Sequence, residues 1–149
     1  MSEKRLCPVC SEGHLITREE EHKTEYKGQF GVVCVKLAVC DVCGVETAGQ
    51  DESRANKRAN LRFRNTVDGL LLGEEIRTIR ARYRLTQTQA AKLFGGGPVA
   101  FSKYENDDVS HSEAIDTLLR LVRLSEDAFK NLVAMKGIKF GFQRGREKS

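Results

Sequence analysis

The stretch Thr86–Asn106, TQTQAAKLFGGGPVAFSKYEN, decides the fold of the C-terminal part of the chain. Thr86 and Gln89 form a capping box, which predicts a helix that begins there and continues as apolar residues at helical spacing. Three glycines, residues 95–97, end that helix, and Pro98 suits the first position of the next one. Two short helices about a tight turn are typical of a helix-turn-helix domain.

Further helices are predicted on both sides of this stretch. The apolar spacing from Ile76 to Tyr83 predicts a helix before it. After it, Ser110 and Glu113 form a second capping box, and the pattern over residues 125–137 predicts a last helix. The sequence therefore predicts an all-α, five-helix domain of the XRE type, which would bind DNA and dimerise, over residues 70–149. Its basic tail, residues 138–149, has no assigned role and is expected to fray.

The third of these helices is the candidate reader of DNA. At 100° per residue, Phe101 and Tyr104 point towards the core, and the opposite face points to solvent, where this fold offers it to the major groove. The amides of the preceding helix are expected to reach phosphates. Candidate DNA-binding residues are Gln87, Gln89, Val99, Ser102, Lys103 and Asn106. As an alternative, Lys103 is a generic surface lysine and Val99 an isolated exposed apolar residue.

Four cysteines in the N-terminal part form two CxxC knuckles, Cys7 with Cys10 and Cys40 with Cys43. Each knuckle directs two sulfurs at one ion, and a pair of knuckles completes the tetrahedron that Zn²⁺ accepts. Four thiolates leave no open coordination position, so one structural zinc per chain is predicted. Residues 32–39 alternate as a strand, with Gly28 and Gly31 expected as turn residues before it. Residues 1–50 are therefore predicted to form a small β zinc-binding domain.

Two residues near the knuckles have alternative roles. Cys34 is either a redox sensor or a small strand residue, and the absence of an acid–base partner in the sequence favours the second. His14, four residues after Cys10, is a competing ligand or a loop residue. With four cysteines available, the loop interpretation is favoured.

Charge is unevenly distributed along the chain. Residues 1–50 carry six basic and eight acidic side chains, a net −2, and residues 51–149 carry nineteen and thirteen, a net +6. The basic part favours an anionic partner, most often nucleic acid. Residues 51–69, acidic first and basic afterwards, suit a charged connecting helix. No long apolar run or signal peptide is recognisable, so a cytoplasmic protein that does not span membranes is expected.

CPVC, a second CxxC about thirty residues on, and LTQTQAAKLFGGGPVAFSKYE together resemble the MqsA (YgiT-type) antitoxins. The resemblance runs from about Cys7 to Leu124. It implies an α+β chain whose zinc domain binds and neutralises an RNA-cleaving toxin. It also implies a helix-turn-helix domain that forms a homodimer and represses the toxin–antitoxin operon at a palindromic operator. The family has Asn and Arg as base readers where this chain has Val99 and Lys103, so a different operator sequence is expected.

Two other classes of function are alternatives to the antitoxin. A stand-alone zinc-finger/helix-turn-helix regulator without a toxin would share every residue discussed above. An enzyme is disfavoured, because the histidines are scattered and no HExxH, GxSxG or P-loop motif is found. A small neighbouring open reading frame that encodes an RNase-like toxin would decide for the antitoxin.

Overall fold

The computed structural model describes residues 5–138, which form two units that divide between Val67 and Asp68. The first unit is a small antiparallel sheet with one helix, and the second contains five helices. The predicted α+β class is therefore confirmed. The predicted fraying of the tail falls on residues 139–149, outside the described part. Ile138, just before them, packs against the core of the second unit.

A long hairpin dominates the first unit. Strands β2 (His14–Tyr26) and β3 (Gln29–Cys40) pair in antiparallel register, and the turn between them has positive φ at Lys27 and Gly28. Such a two-residue turn matches the right-handed twist of the strands. The short strands β1 (Arg5–Leu6) and β4 (Glu46–Thr47) pair with the ends of β2 and β3, which gives the sheet order β1-β2-β3-β4.

Helix α1 (Gln50–Asp68) confirms the predicted connecting helix, and it packs on the sheet. The side-chain amide of Asn56 accepts a hydrogen bond from the Lys36 N–H at 2.6 Å and donates one to its carbonyl at 2.9 Å. Gly31 was predicted as a turn residue, which is wrong. It lies inside β3, where a Cβ would overlap the ring of Phe63, so its lack of a side chain lets α1 approach the strand.

The second unit contains the five predicted helices. They are α2 (Gly73–Arg82), α3 (Gln87–Phe94), α4 (Ala100–Glu105), α5 (Glu113–Leu124) and α6 (Glu126–Lys136). Their apolar faces meet in one core, whose fully buried side chains include Ile76, Leu93, Phe101 and Leu119. The ring of Tyr83 stacks on that of Phe129, with 3.9 Å between centroids.

The ends of these helices test the predicted caps. The capping box of Thr86 and Gln89 at the start of α3 is confirmed in both directions, and so is the end of α6 at Gly137. The predicted box of Ser110 with Glu113 is wrong. Ser112 caps α5 instead. Its hydroxyl oxygen accepts a hydrogen bond from the N–H of the buried Ile115, three residues later, at 3.1 Å.

Candidate metal centre and nucleic-acid interface

The two knuckles are brought together by the hairpin. One follows β1 and the other follows β3, and the pairing of Leu15 with Cys40 places both at the same end of the sheet. The four cysteine sulfurs lie within 4.8 Å of one another. Sγ of Cys7 is 3.8 Å from that of Cys43, and Sγ of Cys10 is 3.7 Å from that of Cys40. The predicted four residues are thus assembled into one cluster.

This cluster fits a tetrahedral thiophilic cation. Four sulfurs about 2.3 Å from a central ion are about 3.8 Å from each other. Backbone N–H groups also point at the sulfurs, with Val9 on Cys7 and Gly13 on Cys10, both at 3.3 Å. The second knuckle repeats the arrangement, because the Val42 and Cys43 N–H groups lie 3.3 Å from Cys40 Sγ. Donors aimed at sulfur stabilise the thiolate that a metal requires.

The electrostatics of the thiols follow from this geometry. The backbone N–H groups of Glu12 and Gly13 lower the pKa of Cys10 to about 6. At Cys43, a backbone hydrogen bond involving Val45 lowers the pKa. Burial and the neighbouring thiols raise it by more, so the pKa of Cys43 rises to about 11. Four anionic sulfurs this close repel one another, so a divalent cation is what allows all of them to lose their protons.

Neither competing residue joins the cluster. Within the part of the chain that the structure describes, the cysteines are the only group of three or more metal-ligating side chains. His14 uses its backbone N–H to bind the Asp41 carboxylate at 2.9 Å. Cys34 is exposed on β3, with its sulfur 3.5 Å from a carboxylate oxygen of Glu19. Desolvation and this carboxylate raise the pKa of Cys34, which disfavours a reactive thiolate.

In the second unit, α3 and α4 are joined by the glycine turn. Gly95, Gly96 and Gly97 all have φ near +100°, a region that other residues rarely adopt. A Cβ on Gly96 would also crowd the hydroxyl of Tyr104 and the methyl group of Ala100. The three glycines are therefore required by the backbone path that directs the chain from α3 into α4.

The start of α4 differs from the prediction. Pro98 does not begin the helix. It occupies the second position of a turn closed by the Ala100 N–H on the Gly97 carbonyl at 3.2 Å, where its fixed φ is favoured. Val99 is the N-cap of α4 and Asn106 is its C-cap, so these two flank the helix.

The predicted DNA-binding residues lie at α4 and at the start of α3. Val99, Lys103 and Asn106 are exposed and Ser102 is half-buried, whereas Phe101 is buried and Tyr104 half-buried, as the helical period predicts. Gln87 and Gln89 are half-buried, and both already make hydrogen bonds within the chain. The Gln87 amide donates to Glu105 at 3.1 Å, and the Gln89 carbonyl accepts from the Thr86 N–H at 2.8 Å.

Comparisons with known proteins give the family. Residues 5–132 match the family described as the antitoxin component of bacterial toxin–antitoxin systems, MqsA. The chain belongs to the MqsA antitoxin family. Antitoxin MqsA of Escherichia coli (strain K12) is 31% identical over 124 residues, which cover 78% of this chain and 90% of that protein.

Within this MqsA-family chain, one residue that anchors α4 was not among the predicted site residues. Glu105, the last residue of α4, is buried, and its carboxylate is held by the guanidinium of Arg80 on α2. Gln87 reaches the same carboxylate from α3. A Cβ on Gly73 would overlap the Glu105 carbonyl, so α2 and α4 approach each other closely. No local sequence signal singles out Glu105, because its partner Arg80 lies twenty-five residues away.

A second buried carboxylate, that of Asp116 on α5, joins α5 to the segment before α2 and to His111. Asp116 accepts hydrogen bonds from the Leu71 N–H at 2.8 Å and from Arg120 at 2.6 Å, and lies 2.7 Å from Nε2 of His111. The His111 ring in turn lies 5.7 Å from that of Tyr104 on α4. The Glu105 cluster therefore holds the helix that carries Lys103 directly, and the Asp116 cluster reaches it only through the ring contact of His111 with Tyr104.

Among residues 5–138, none of the helices could span a membrane.

Proposed function

We propose that the chain is an autorepressing antitoxin. It neutralises a toxin of the RNase class through its zinc domain, and it represses its own operon as a homodimer bound to a palindromic operator. The observation that carries the proposal is that an MqsA-family sequence joins two units of different chemistry, a four-cysteine centre and a helical unit with an exposed lysine on α4. The domains are residues 1–50, the α1 connection over residues 51–69 and the helical domain over residues 70–149.

The proposed metal is Zn²⁺, one per chain, with Cys7, Cys10, Cys40 and Cys43 as its ligands. The spacing of the sulfurs and the absence of an open ligand position support a structural role. A unit with a single short sheet and one helix has little core, so metal binding supplies much of its folding free energy. When bound, the ion neutralises part of the charge on four thiolates and crosslinks the two knuckles.

The proposed reader of DNA is the exposed face at α4. Lys103 would discriminate guanine by its O6 and N7 acceptors, as a point charge and without the fork of an arginine. Val99, an exposed apolar residue, would contact a thymine methyl group. Ser102 and Asn106 would support these contacts, and Gln87 and Gln89 would contact phosphates near the N-terminus of α3.

The test of DNA reading compares two lysines of the same unit. Lys103→Ala should weaken binding to the promoter duplex upstream of this gene by about 1–3 kcal/mol, and binding to a scrambled duplex much less. The control is Lys92→Ala, because Lys92 is an exposed lysine on α3. Lys92→Ala should change both affinities equally. Titrations at matched salt measure the affinity of each variant for both duplexes. If Lys103→Ala loses equal affinity for the two, Lys103 contacts phosphate and does not read a base.

The test of toxin neutralisation uses the small open reading frame beside this gene. Its product should arrest growth when expressed alone, and co-expression of this chain should relieve the arrest. Residues 1–67 follow the boundary of the first unit and should suffice for relief. If the neighbouring product is harmless and does not bind the chain, the alternative of a stand-alone regulator is supported instead.

A further inference from the structure

Arg84 occupies a position at the end of a helix where glycine is usual. Tyr83 is the C-cap of α2, and the next residue, Arg84, has a φ of 56°. The Arg84 N–H donates to the Ala81 carbonyl at 3.0 Å, and the Leu85 N–H donates to the Arg80 carbonyl at 3.1 Å. These two hydrogen bonds form a Schellman motif. Its left-handed residue is most often glycine, because a Cβ is disfavoured there.

The Arg84 side chain makes no contact that explains an arginine at this strained position. It is exposed, and in the part of the chain that the structure describes it forms no hydrogen bond, ion pair or ring contact. The two arginines before it differ. Arg80 is held by the Glu105 carboxylate, and Arg82 donates to the Arg123 carbonyl at 2.8 Å. The guanidinium of Arg84 is therefore available to a ligand outside the chain.

Hydrogen bonds place the Arg84 loop beside the end of α4. The Arg80 guanidinium donates to the Leu85 carbonyl at 2.8 Å and to the Glu105 carboxylate at 2.9 Å. It therefore joins the residue after Arg84 to the last residue of α4. Gln87, at the start of α3, reaches the same carboxylate at 3.1 Å. The loop thus lies next to the start of α3 and the end of α4, where the candidate DNA-binding residues are found.

Charge is unevenly distributed over the second unit. Its described part carries ten basic and ten acidic side chains, so the unit has no net charge. Within residues 84–106, however, the only acid is Glu105, which is buried. The other charged side chains of this segment are Arg84, Lys92 and Lys103, which are exposed and have no acidic partner among the described residues. The segment is therefore positive at its surface, which favours an anionic ligand.

A phosphate suits the Arg84 guanidinium better than a base edge does. The guanidinium is a planar fork of N–H donors, which two oxygens of one phosphate accept together. Arg84 precedes α3 and lies outside α4. When the exposed face of α4 occupies the major groove, the start of α3 meets the backbone of the duplex. Contacts with phosphates fix the register of a protein on DNA and do not read its sequence.

We infer that Arg84 is a phosphate-contacting residue of the DNA interface, held at a position where the fold favours glycine. The inference rests on the DNA binding of the proposed function and adds a residue that was not among the predicted site residues. Arg84 binds the duplex backbone beside the bases that Lys103 reads. The left-handed backbone lowers the stability of the unit, and the contact raises its affinity for DNA.

The first experiment measures binding of the full chain to the promoter duplex and to a scrambled duplex at several salt concentrations. Arg84→Gly should weaken binding to both duplexes by the same factor, about tenfold per protomer, because one charged hydrogen-bonding contact is lost. The slope of log affinity against log salt should become shallower by about 0.9 per protomer. Arg84→Lys keeps the charge without the fork and should be intermediate. The charge-matched control is Lys130→Ala, at an exposed lysine of α6, which should change neither affinity nor slope.

The second experiment separates the DNA contact from a role in folding. Arg84→Gly should unfold at the same temperature as the wild-type chain or at a higher one, because glycine adopts a φ of 56° without a Cβ. Arg84→Ala should lose the same DNA affinity without this gain in stability. If Arg84 served the fold alone, its replacement by glycine would lower the unfolding temperature together with DNA binding, and that result overturns the inference.

The outcomes separate the inference from the proposed function. If Arg84→Gly binds both duplexes as the wild-type chain does, while Lys103→Ala loses affinity for the promoter, DNA binding stands and Arg84 is overturned as a contact. If Arg84→Gly loses affinity for the promoter duplex alone, Arg84 reads a base and the assignment to phosphate is wrong. If the wild-type chain binds neither duplex at low salt, the DNA binding of the proposed function is wrong, and the inference is overturned with it.

Discussion

The carboxylate of Glu105, at the end of α4, lies 2.9 Å from Nη2 of Arg80 on α2. The Glu105 side chain is 1% exposed and that of Arg80 is 20% exposed, so the pair is largely removed from water. The Arg80 guanidinium also donates to the Leu85 carbonyl at 2.8 Å. One ion pair therefore fixes the distance between the first helix of the unit and the helix that carries the candidate base readers.

Breaking this pair should destabilise the helical unit. Glu105→Gln leaves the Arg80 charge without a counter-ion in a poorly hydrated place, and we expect a loss of about 3 kcal/mol in the free energy of unfolding. The control is Glu126→Gln, because Glu126 is exposed and 3.9 Å from Arg82, so its loss should cost below about 1 kcal/mol. Urea unfolding of both variants provides the comparison. Similar losses would show that the buried pair contributes no more than a surface pair.

The metal centre gives a second prediction. Cys40→Ala should abolish binding of the single expected zinc ion and unfold residues 5–67, because three sulfurs no longer close the knuckles. The helical unit should remain folded. Cys34→Ala is the matched control, since this cysteine lies outside the cluster and should leave the metal content unchanged. Metal analysis with amide NMR spectra measures both effects. Full metal content in the Cys40 variant would contradict the four-cysteine site.

The third prediction concerns the preference for one base. Val99→Asn should shift the preference of the protein towards adenine at the facing position, because an amide makes a bidentate contact with N6 and N7. The fold should tolerate the change, since Val99 is 63% exposed and Asn is a favourable N-cap residue. Binding to a set of promoter duplexes with single base changes measures the shift. An unchanged profile would place Val99 away from the base edges.

The fourth prediction concerns pH. Burial raises the pKa of Asp116, but hydrogen bonds from the Leu71 N–H, His111 and Arg120 outweigh it, so the pKa lies below the ordinary value of 3.8. Because the pKa of Asp116 is lower in the folded state, the carboxylate stabilises the unit at pH values above the pKa that it has in the unfolded chain. This contribution is lost as the pH falls through the folded-state value. Wild-type stability should therefore decline on acidification below about pH 4.

Asp116→Asn isolates that contribution. The variant should be less stable than wild type at neutral pH by about 1–3 kcal/mol, and the difference should shrink on acidification. Asp127→Asn, at an exposed acid of α6, serves as the control and should follow the wild-type curve. Unfolding free energies at several pH values between neutral and acid test this. A constant difference across the range would show that Asp116 acts through packing and not through its charge.

The sequence predicted the elements whose signals are local. The capping box of Thr86 with Gln89, the glycine turn and the helical periods lie within a few residues, and the two CxxC knuckles carry their own geometry. The start of α4 was misplaced because Pro98 suits both a first helical position and a β-turn. Only the Gly97 to Ala100 hydrogen bond distinguishes the two.

Contacts between distant residues were not predictable in the same way. Asn56 binds the backbone of Lys36, twenty residues away, and Glu105 meets Arg80 across twenty-five. Nothing in the local sequence distinguishes these side chains from the solvated polar residues beside them. Their roles depend on which helix faces which, and this is fixed only by packing of the whole unit.

The four clustered cysteines precede the helical unit in the chain, and this affects the order of events during synthesis. All four sulfurs lie within the first 43 residues, and the hairpin that joins them pairs residues close in sequence. At about 5–20 residues per second, residues 68–149 still require roughly 4–16 s of translation after the first unit is complete. Metal capture on the nascent chain is therefore possible before the helical unit exists. A ribosome stalled after residue 67 would carry a first unit that is already complete in sequence.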